Sequence, residues 1–253
     1  MDLGLRDRVV LITGAGGGAG PTIARAFAAE GAPVALQHRG GRGAARASDA
    51  AAGITTSGGR AVAVAADLGA PDQVAAMVES IGRDLGPVAV LVTATSAYRS
   101  ERFAEIEDAS WSSVVDDILG ATYRTCRAVV PGMQEAGWGR IVNIAARSGL
   151  AGVARSAHTA AAKAGIIGLT AALAKELGPA GILVNAIAPT RILTVKDGVR
   201  SIPEEQAAEI AKTIPVRRVA TPDDLATLVV WLGSAANTYV SGETISLTGG
   251  DQR

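Results

Sequence analysis

Short runs of apolar residues recur along the chain, and apolar residues return every three or four positions in the longer stretches between them. The short runs have the length of buried strands, and the longer stretches are typical of amphipathic helices. This alternation predicts an α/β protein with a doubly wound, mostly parallel sheet. The predicted strands are 9–12, Pro33–Gln37, Arg60–Ala66, Val88–Thr93, Arg140–Ala145, Ile182–Ile187 and Glu243–Leu247.

The domain organisation follows from the length and from the absence of an obvious linker. A chain of 253 residues fits one α/β domain. The stretch Gly40–Gly59 is rich in Gly, Ala and Arg, but it fits a helix with loose flanks better than a linker. No repeat of solenoid or propeller length is visible. We predict a single domain over residues 1–253.

The segment Arg8–Gly31 is the part of the chain whose local chemistry implies a ligand. An apolar strand ends at the turn Thr13–Gly20, and a helix is expected to begin near Pro21 and to end at Gly31. Glycines let a phosphate approach the backbone, while the N–H groups at the start of the helix receive its charge. A tight strand-to-helix connection would use the same residues. The candidate phosphate-binding positions are Gly14, Gly16, Gly18 and Gly20.

The spacing of this turn resembles the T-G-x-x-x-G-x-G cofactor loop of the short-chain dehydrogenase/reductase family. The resemblance extends through the C-terminal third, at 184–189, 194, 215–218, 221–224, 239–242 and 249–250. It implies a Rossmann-type fold of about seven strands, a nicotinamide cofactor, a small-molecule substrate and a homo-oligomer, either a dimer or a tetramer. The apolar helices predicted at Trp111–Met133 and Ala157–Leu177 match the helices that form tetramer faces in the family, although the core of a monomer would use the same apolar pattern. The resemblance also makes 190–214 the substrate-covering segment, which by itself suggests only a surface helix and loop.

The end of the second strand bears on the choice between NADP and NAD. An acidic residue there would bind the ribose hydroxyls of NAD, but the chain has Gln37, His38 and Arg39. Arg39, helped by Arg42, suits the 2′-phosphate of NADP. A solvated basic loop is the alternative. Gly17 weighs against NADP, because many relatives that use NADP have a basic residue at that position. We predict NADP as the cofactor and leave NAD open.

Other cofactor contacts are implied by the resemblance. Asp67 follows the third strand, where the family has an acceptor for the adenine, although it would equally cap a helix starting at Pro71. Pro189 and Thr194 match cofactor-binding positions beyond the sixth strand. Lys163 matches the lysine that binds the nicotinamide ribose.

The catalytic positions of the family are largely replaced. Lys163 is present, but Thr159 stands four residues before it, where the family has a tyrosine that transfers the proton. Ala146 stands at the serine position and Ile118 at the asparagine position. An aliphatic hydroxyl is far less acidic than a phenol, whose pKa is about 10. Thr159 therefore donates a hydrogen bond but does not readily release its proton.

Three further residues are candidates for the missing proton source. Tyr98 lies beyond the fourth strand, Ser148 lies two residues after Ala146, and His158 neighbours Thr159. His158 lies about 100° around the helix from Thr159, given the α-helical repeat. Each also has a plain structural explanation, namely a packed aromatic ring, a loop hydroxyl and an exposed or helix-capping imidazole, respectively.

Two functions of different classes fit these residues. The first is an NADP-dependent oxidoreductase that acts on an activated carbonyl, imine or enone with a non-standard proton source. The second is a non-redox relative that keeps the fold, either a cyclase or isomerase or a cofactor-binding partner subunit. The phosphate turn, Asp67 and Lys163 occur together, which favours the oxidoreductase.

Composition limits the partners and the location. Twenty-four basic and twenty-four acidic residues give no net charge, so no global field attracts nucleic acid or a membrane surface. Cys126 is the only cysteine, so no intramolecular disulfide forms, and we expect a cytoplasmic location. We predict no membrane span and no metal site.

Overall fold

The computed structural model describes residues 2–251 of the chain. Strands and helices alternate along it. The strands are β1 (Val9–Thr13), β2 (Val34–His38), β3 (Ala61–Ala65), β4 (Val88–Thr93), β5 (Gly139–Ile144), β6 (Ile182–Pro189), β7 (Val195–Lys196), β8 (Val199–Arg200) and β9 (Thr244–Leu247). The helices are α1 (Gly20–Ala29), α2 (Arg42–Thr56), α3 (Pro71–Asp84), α4 (Asp108–Val115), α5 (Ala121–Glu135), α6 (Ser148–Ala151), α7 (Ala157–Leu177), α8 (Glu204–Thr213) and α9 (Pro222–Leu232).

Seven of these strands form one parallel sheet in the order β3-β2-β1-β4-β5-β6-β9. The predicted doubly wound sheet is therefore confirmed, and so is each of its predicted strands. The chain changes direction between β1 and β4, because β2 and β3 lie on one side of β1 and the later strands on the other. In such sheets a ligand binds at this point, beyond the carboxyl ends of the strands.

The alternation of side chains along β1 divides the core into two layers. Val10 and Ile12 pack with α1, α2 and α9 on one face, while Val9 and Leu11 pack with α3, α5 and α7 on the other. All four side chains are almost completely buried. A strand that is covered on both faces reads as a continuous apolar run, which is why the pattern identified it.

The helix predicted over Trp111–Met133 is interrupted. A single π-helical turn at Asp116–Gly120 separates α4 from α5. Ile118, at the middle of this turn, is fully buried against α7 residues such as Ile166. Such a turn adds one residue to the helical repeat and is frequent at functional sites. Apolar periodicity did not distinguish it from a continuous helix.

The segment 190–214 contains more regular structure than the sequence indicated. Helix α8 was expected, but β7 and β8 form an antiparallel hairpin that the pattern did not show. The strands of this hairpin have two residues each, too few to show an alternation of apolar and polar positions.

Helix α7 belongs to the globular fold, although the span Ala157–Ala180 is long and apolar enough to cross a membrane by length and composition alone. It packs between α4 and α6 and against β6. It also buries the charged residue Lys163.

Candidate active site

A cavity of about 770 Å³ lies at the carboxyl ends of β1, β2, β4, β5 and β6. This volume is within the range of about 300 to 1,000 Å³ that is typical of small-molecule sites. The predicted residues that line it are Gly14, Gly16, Gly18, Gly20, Arg39, Asp67, Tyr98, Ser148, Thr159, Lys163, Pro189 and Thr194. His158 and Arg42, which was expected to help Arg39, do not line it.

The first glycine turn has the conformation that the sequence predicts. Gly14 has a φ of +64°, and a Cβ there would lie 2.7 Å from the carbonyl oxygen of Ala94. Its N–H donates to Oε1 of Gln37 at 2.7 Å, and Nε2 of Gln37 donates to the carbonyl of Ala66 at 2.7 Å. Gln37 therefore ties the ends of β1, β2 and β3 together. The sequence analysis considered Gln37 only because it is not the acidic residue that would bind the ribose hydroxyls of NAD.

The later glycines permit close packing of the cavity walls. A Cβ at Gly18 would lie 2.6 Å from the Cβ of Thr194, and a Cβ at Gly16 would lie 2.6 Å from the Cα of Gly43. Gly31, at the far end of α1, adopts a φ of +83° as its predicted terminating role requires.

The start of α1 has the features of an anion site. No side chain caps this helix, and Pro21 occupies the first turn. Uncapped N–H groups at a helix start, beside a turn of glycines, form a site for phosphate. The turn and the cavity therefore fit the diphosphate of a dinucleotide.

The basic side chains beyond β2 are arranged differently from the expectation. Arg39 lines the cavity and makes an ion pair of 2.8 Å with Asp117 of the π-turn. Arg42, which was expected to help it, is exposed and does not line the cavity. Arg46, one helical turn further along α2, does line it. Its Nε donates to the carbonyl of Gly16 at 2.7 Å, and its guanidinium pairs with Asp197 of the β7–β8 turn at 2.8 Å. In the sequence, Arg46 could have been selected because it lies four residues after Arg42, one helical turn further along the same face of α2.

Asp67 lies at the cavity edge beyond β3. Its Oδ1 accepts the N–H of Gly69 at 2.9 Å. The N-cap of α3 is Ala70, and no side chain caps that helix. The alternative in which Asp67 caps α3 is therefore wrong.

Lys163 is buried in the cavity wall. Its Nζ donates to the carbonyl oxygens of Ile144 at 2.6 Å and Thr95 at 3.2 Å. Burial lowers the pKa of this amine to about 8, because desolvation disfavours the ammonium form. The Thr95 hydroxyl is also buried and has no partner within residues 2–251. Thr95 lines the cavity, so a bound ligand would be able to satisfy it, and sequence reasoning did not select it.

The structure places Thr159 on the cavity wall, one turn of α7 before Lys163. Ala146 lies on the same wall and provides no polar side chain. Ile118 is fully buried in the core beneath it. Among the aligned catalytic positions, the cavity therefore presents an amine and an aliphatic hydroxyl, without a phenol.

The other candidates for the proton source differ in their positions. Tyr98 is 66% exposed at the cavity edge, so it is not a packed aromatic. Ser148 is the first residue of α6 and lines the cavity. His158 is completely buried behind Thr159, so its interpretation as an exposed imidazole is wrong. Its Nδ1 accepts the N–H of Thr159 in the first turn of α7 at 2.8 Å, which agrees with the other interpretation, a helix-capping imidazole.

Comparisons with known proteins agree with this arrangement. A family model described as enoyl-(acyl carrier protein) reductase matches residues 14–251. Nodulation protein G of Azospirillum brasilense is 36% identical over 97% of this chain and 98% of that protein. The 3-oxoacyl-(acyl-carrier-protein) reductase FabG of Pseudomonas aeruginosa is 35% identical over 98% of both chains. Acetoacetyl-CoA reductase of Shinella zoogloeoides is 36% identical over 96% of this chain and 98% of that protein.

A solved structure agrees as well. A crystal structure from Sinorhizobium meliloti, assigned to the short-chain alcohol dehydrogenases, superposes with a TM-score of 0.89 at 30% identity. The match covers 99% of this chain and 98% of the other. The chain thus belongs to the short-chain dehydrogenase/reductase family, a family of nicotinamide-dependent oxidoreductases.

Proposed function

We propose that the protein is an NADP-dependent oxidoreductase that acts on an activated carbonyl, imine or enone and does not use a tyrosine as its proton source. The observation that carries the proposal is that the glycine turn at the uncapped start of α1 and the buried residue Lys163 line the same cavity.

The residues that would hold the cofactor are distributed around the cavity. The turn Gly14–Gly20 suits the diphosphate, and Lys163 suits the nicotinamide ribose. Pro189 at the end of β6 and Thr194 beyond it line the same cavity. The bound nicotinamide supplies a hydride. The chain itself orients the substrate and supplies or accepts the proton.

The preference for NADP rests on charge at the end of β2. The residues at the end of β2, Gln37, His38 and Arg39, include no acid, and Arg39 is paired at the cavity edge with Asp117. A 2′-phosphate would compete with Asp117 for this guanidinium, because phosphate and carboxylate bind the same donors.

The limit to activated substrates follows from the acidity of the donor. The Thr159 hydroxyl replaces a phenol, and general acid–base catalysis is typically worth about 10²- to 10⁴-fold in rate. A carbonyl that is already polarised, or an iminium that needs no added proton, depends less on that contribution.

Calorimetry is the first test. We expect NADPH to bind in the micromolar range and more tightly than NADH. Arg39→Ala should reduce the NADPH affinity about tenfold, equivalent to about 1.4 kcal/mol, and leave NADH binding nearly unchanged. Arg42→Ala is the matched control, because Arg42 is an exposed arginine three residues further along, at the start of α2, that does not line the cavity. The absence of binding by either nucleotide would contradict the proposal.

Turnover is the second test. We expect oxidation of NADPH with 2,3-butanedione, 2-cyclohexen-1-one or 2-methyl-1-pyrroline, and much slower oxidation with cyclohexanone. Binding of NADPH without turnover of any of the first three would favour the non-redox alternative, a cyclase, isomerase or partner subunit.

The segment 190–214 is proposed as the substrate cover. Thr190, Ile192, Thr194 and Lys196 of this segment line the cavity, and Asp197 pairs with Arg46 on α2 across its opening. A cover held in this way would exclude water from the reacting groups.

A homo-oligomer remains part of the proposal, as does a cytoplasmic location. Only 33% of the apolar window in α7 is buried within the protomer, and Tyr123 on α5 is 47% exposed. A second copy of the chain would cover such faces. We expect sedimentation to give a dimer or tetramer at assay concentrations, and a monomer would contradict this part of the proposal.

A further inference from the structure

Arg46 brings a positive charge to the glycine turn from a different element. Its Nε atom donates to the carbonyl of Gly16 at 2.7 Å, and the residue lines the cavity. A Cβ at Gly16 would lie 2.6 Å from the Cα of Gly43, so the first turn of α2 touches the glycine turn. Arg46 follows Gly43 by three residues and therefore lies on the same side of the helix. The packing of α2 thus holds this guanidinium against the backbone that would receive the phosphates of a dinucleotide.

The guanidinium of Arg46 is fixed in place, yet not all of its donors are used. Nη1 donates to both carboxylate oxygens of Asp197, at 2.8 and 3.1 Å. Together with the bond from Nε, this ion pair holds the planar group in one orientation. Nη2 has no hydrogen-bond partner within residues 2–251, and it is not sealed from solvent. The two N–H groups of Nη2 are therefore available to an anion at the cavity wall.

The charges around the cavity favour such an anion. Among residues 2–251 four cationic and two acidic side chains line it, namely Arg39, Arg46, Lys163 and Lys196 against Asp67 and Asp117. Arg39 follows β2 and Arg46 lies on the next helix, where the adenine ribose of a dinucleotide is expected. Their carboxylate partners, Asp117 and Asp197, are 33% and 45% exposed. Ion pairs that are this exposed are weak, so a phosphate is able to share both guanidinium groups.

We propose that Arg46 binds the 2′-phosphate of NADP together with Arg39 and thereby sets the preference for NADP over NAD. This inference rests on the proposed oxidoreductase function and assigns one further residue to it. Gly17 provides no side chain to neutralise a 2′-phosphate at the glycine turn, and Arg46 provides that charge from α2 instead. Guanidinium groups form short, charge-assisted N–H···O bonds to phosphate, and Nη2 of Arg46 has both N–H groups free for them among residues 2–251.

Calorimetry of Arg46→Met with NADPH and NADH tests the assignment. Methionine keeps the apolar stem and removes the charge. We expect the affinity for NADPH to fall about tenfold, equivalent to about 1.4 kcal/mol, and the affinity for NADH to change by less than about twofold. The two nucleotides differ only in the 2′-phosphate, so the ratio of their dissociation constants isolates the contact with that group. An equal loss with both nucleotides would overturn the inference, because Arg46 would then only support the glycine turn.

Arg42→Met is the matched control for charge. It makes the same substitution one helical turn earlier, at an exposed arginine that does not line the cavity. We expect it to leave the ratio of the two dissociation constants unchanged. If Arg42→Met alters the ratio as much as Arg46→Met does, the effect comes from net charge at long range, and the inference fails.

Asp197→Asn is the control for the ion pair with the β7–β8 hairpin. It breaks this ion pair and leaves the guanidinium of Arg46 in the protein. The preference for NADPH should be at least as large as in the wild type, because a competing carboxylate has been removed. A loss of preference equal to that of Arg46→Met would overturn the inference, since the ion pair and not the phosphate contact would then set the preference.

Adenosine 2′,5′-bisphosphate tests the same contact without the nicotinamide half of the cofactor. The wild-type protein should bind it more tightly than adenosine 5′-monophosphate, and Arg46→Met should reduce this ratio about tenfold. Equal binding of the two adenosine phosphates by the wild type would contradict a site for the 2′-phosphate.

The outcomes separate the two proposals. Wild-type protein that binds neither NADPH nor NADH contradicts the proposed function. Wild-type protein that binds NADPH more tightly than NADH, with the same ratio in Arg46→Met, contradicts the assignment of Arg46 alone.

Discussion

The buried amine of Lys163 gives a prediction about stability that needs neither cofactor nor substrate. Burial lowers its pKa from 10.5 to about 8 in the folded protein. In the unfolded chain the amine regains water and its ordinary pKa. Replacing it in Lys163→Met removes this titration and retains a side chain of similar length.

The sign follows from proton binding. Between about pH 8 and 10.5 the unfolded chain keeps the proton that the folded protein has lost, so the free energy of unfolding rises with pH in this window. The full difference between the two pKa values corresponds to about 3.4 kcal/mol, and the part between pH 7 and 10 is about 2.5 kcal/mol. The wild-type protein should therefore gain about 2.5 kcal/mol relative to Lys163→Met between these two pH values.

Guanidinium unfolding of both proteins at pH 7, 8.5 and 10, without cofactor, measures the effect. Other groups also affect the free energy of unfolding in this pH range, including Cys126, whose thiol ionises there in the unfolded chain while burial raises its pKa to about 12 in the folded protein. They are common to both proteins and cancel in the difference. The reasoning is refuted if the difference in the free energy of unfolding between the two proteins stays constant with pH or falls as the pH rises. Either result would mean that burial does not lower the pKa of Lys163.

Three further predictions concern other positions. Asp117→Asn should strengthen NADPH binding relative to NADH in calorimetry, because it releases Arg39 from the ion pair at 2.8 Å, and an unchanged ratio would show that Asp117 does not compete. Tyr98→Phe should lower kcat for 2,3-butanedione less than twofold, since the ring is 66% exposed at the cavity edge, whereas a tenfold loss would make Tyr98 the donor. Asp224→Asn should cost about 1 kcal/mol at pH 7 in guanidinium unfolding, because Asp224 and Thr221 form the capping box of α9. Hydrogen bonds from the Arg218 guanidinium hold the pKa of Asp224 well below its usual range. The extra stability of the wild-type protein over Asp224→Asn should therefore disappear only in strong acid. If this extra stability is already lost near neutral pH, the prediction is wrong.

Local patterns in the sequence determined the sheet and the position of the cavity. The central strands β1 and β4 are short apolar runs, because a strand covered on both faces has no polar side to interrupt it. The glycines from Gly14 to Gly20 marked the end of β1, and the four-residue spacing of Thr159 and Lys163 on α7 placed both on one wall of the cavity. Parallel strands bring their carboxyl ends to one edge, so these residues had to meet there.

Contacts between distant parts of the chain were decided only by the tertiary structure. Gln37 bonds to Gly14 and Ala66 across three strands, and Arg46 pairs with Asp197, 151 positions away. His158 meets Glu101 because α7 packs against the loop that follows β4. A periodic pattern reports which face of an element is buried, whereas the partner on that face depends on how the elements pack, and for this reason the neighbours of His158 were not predictable from the sequence.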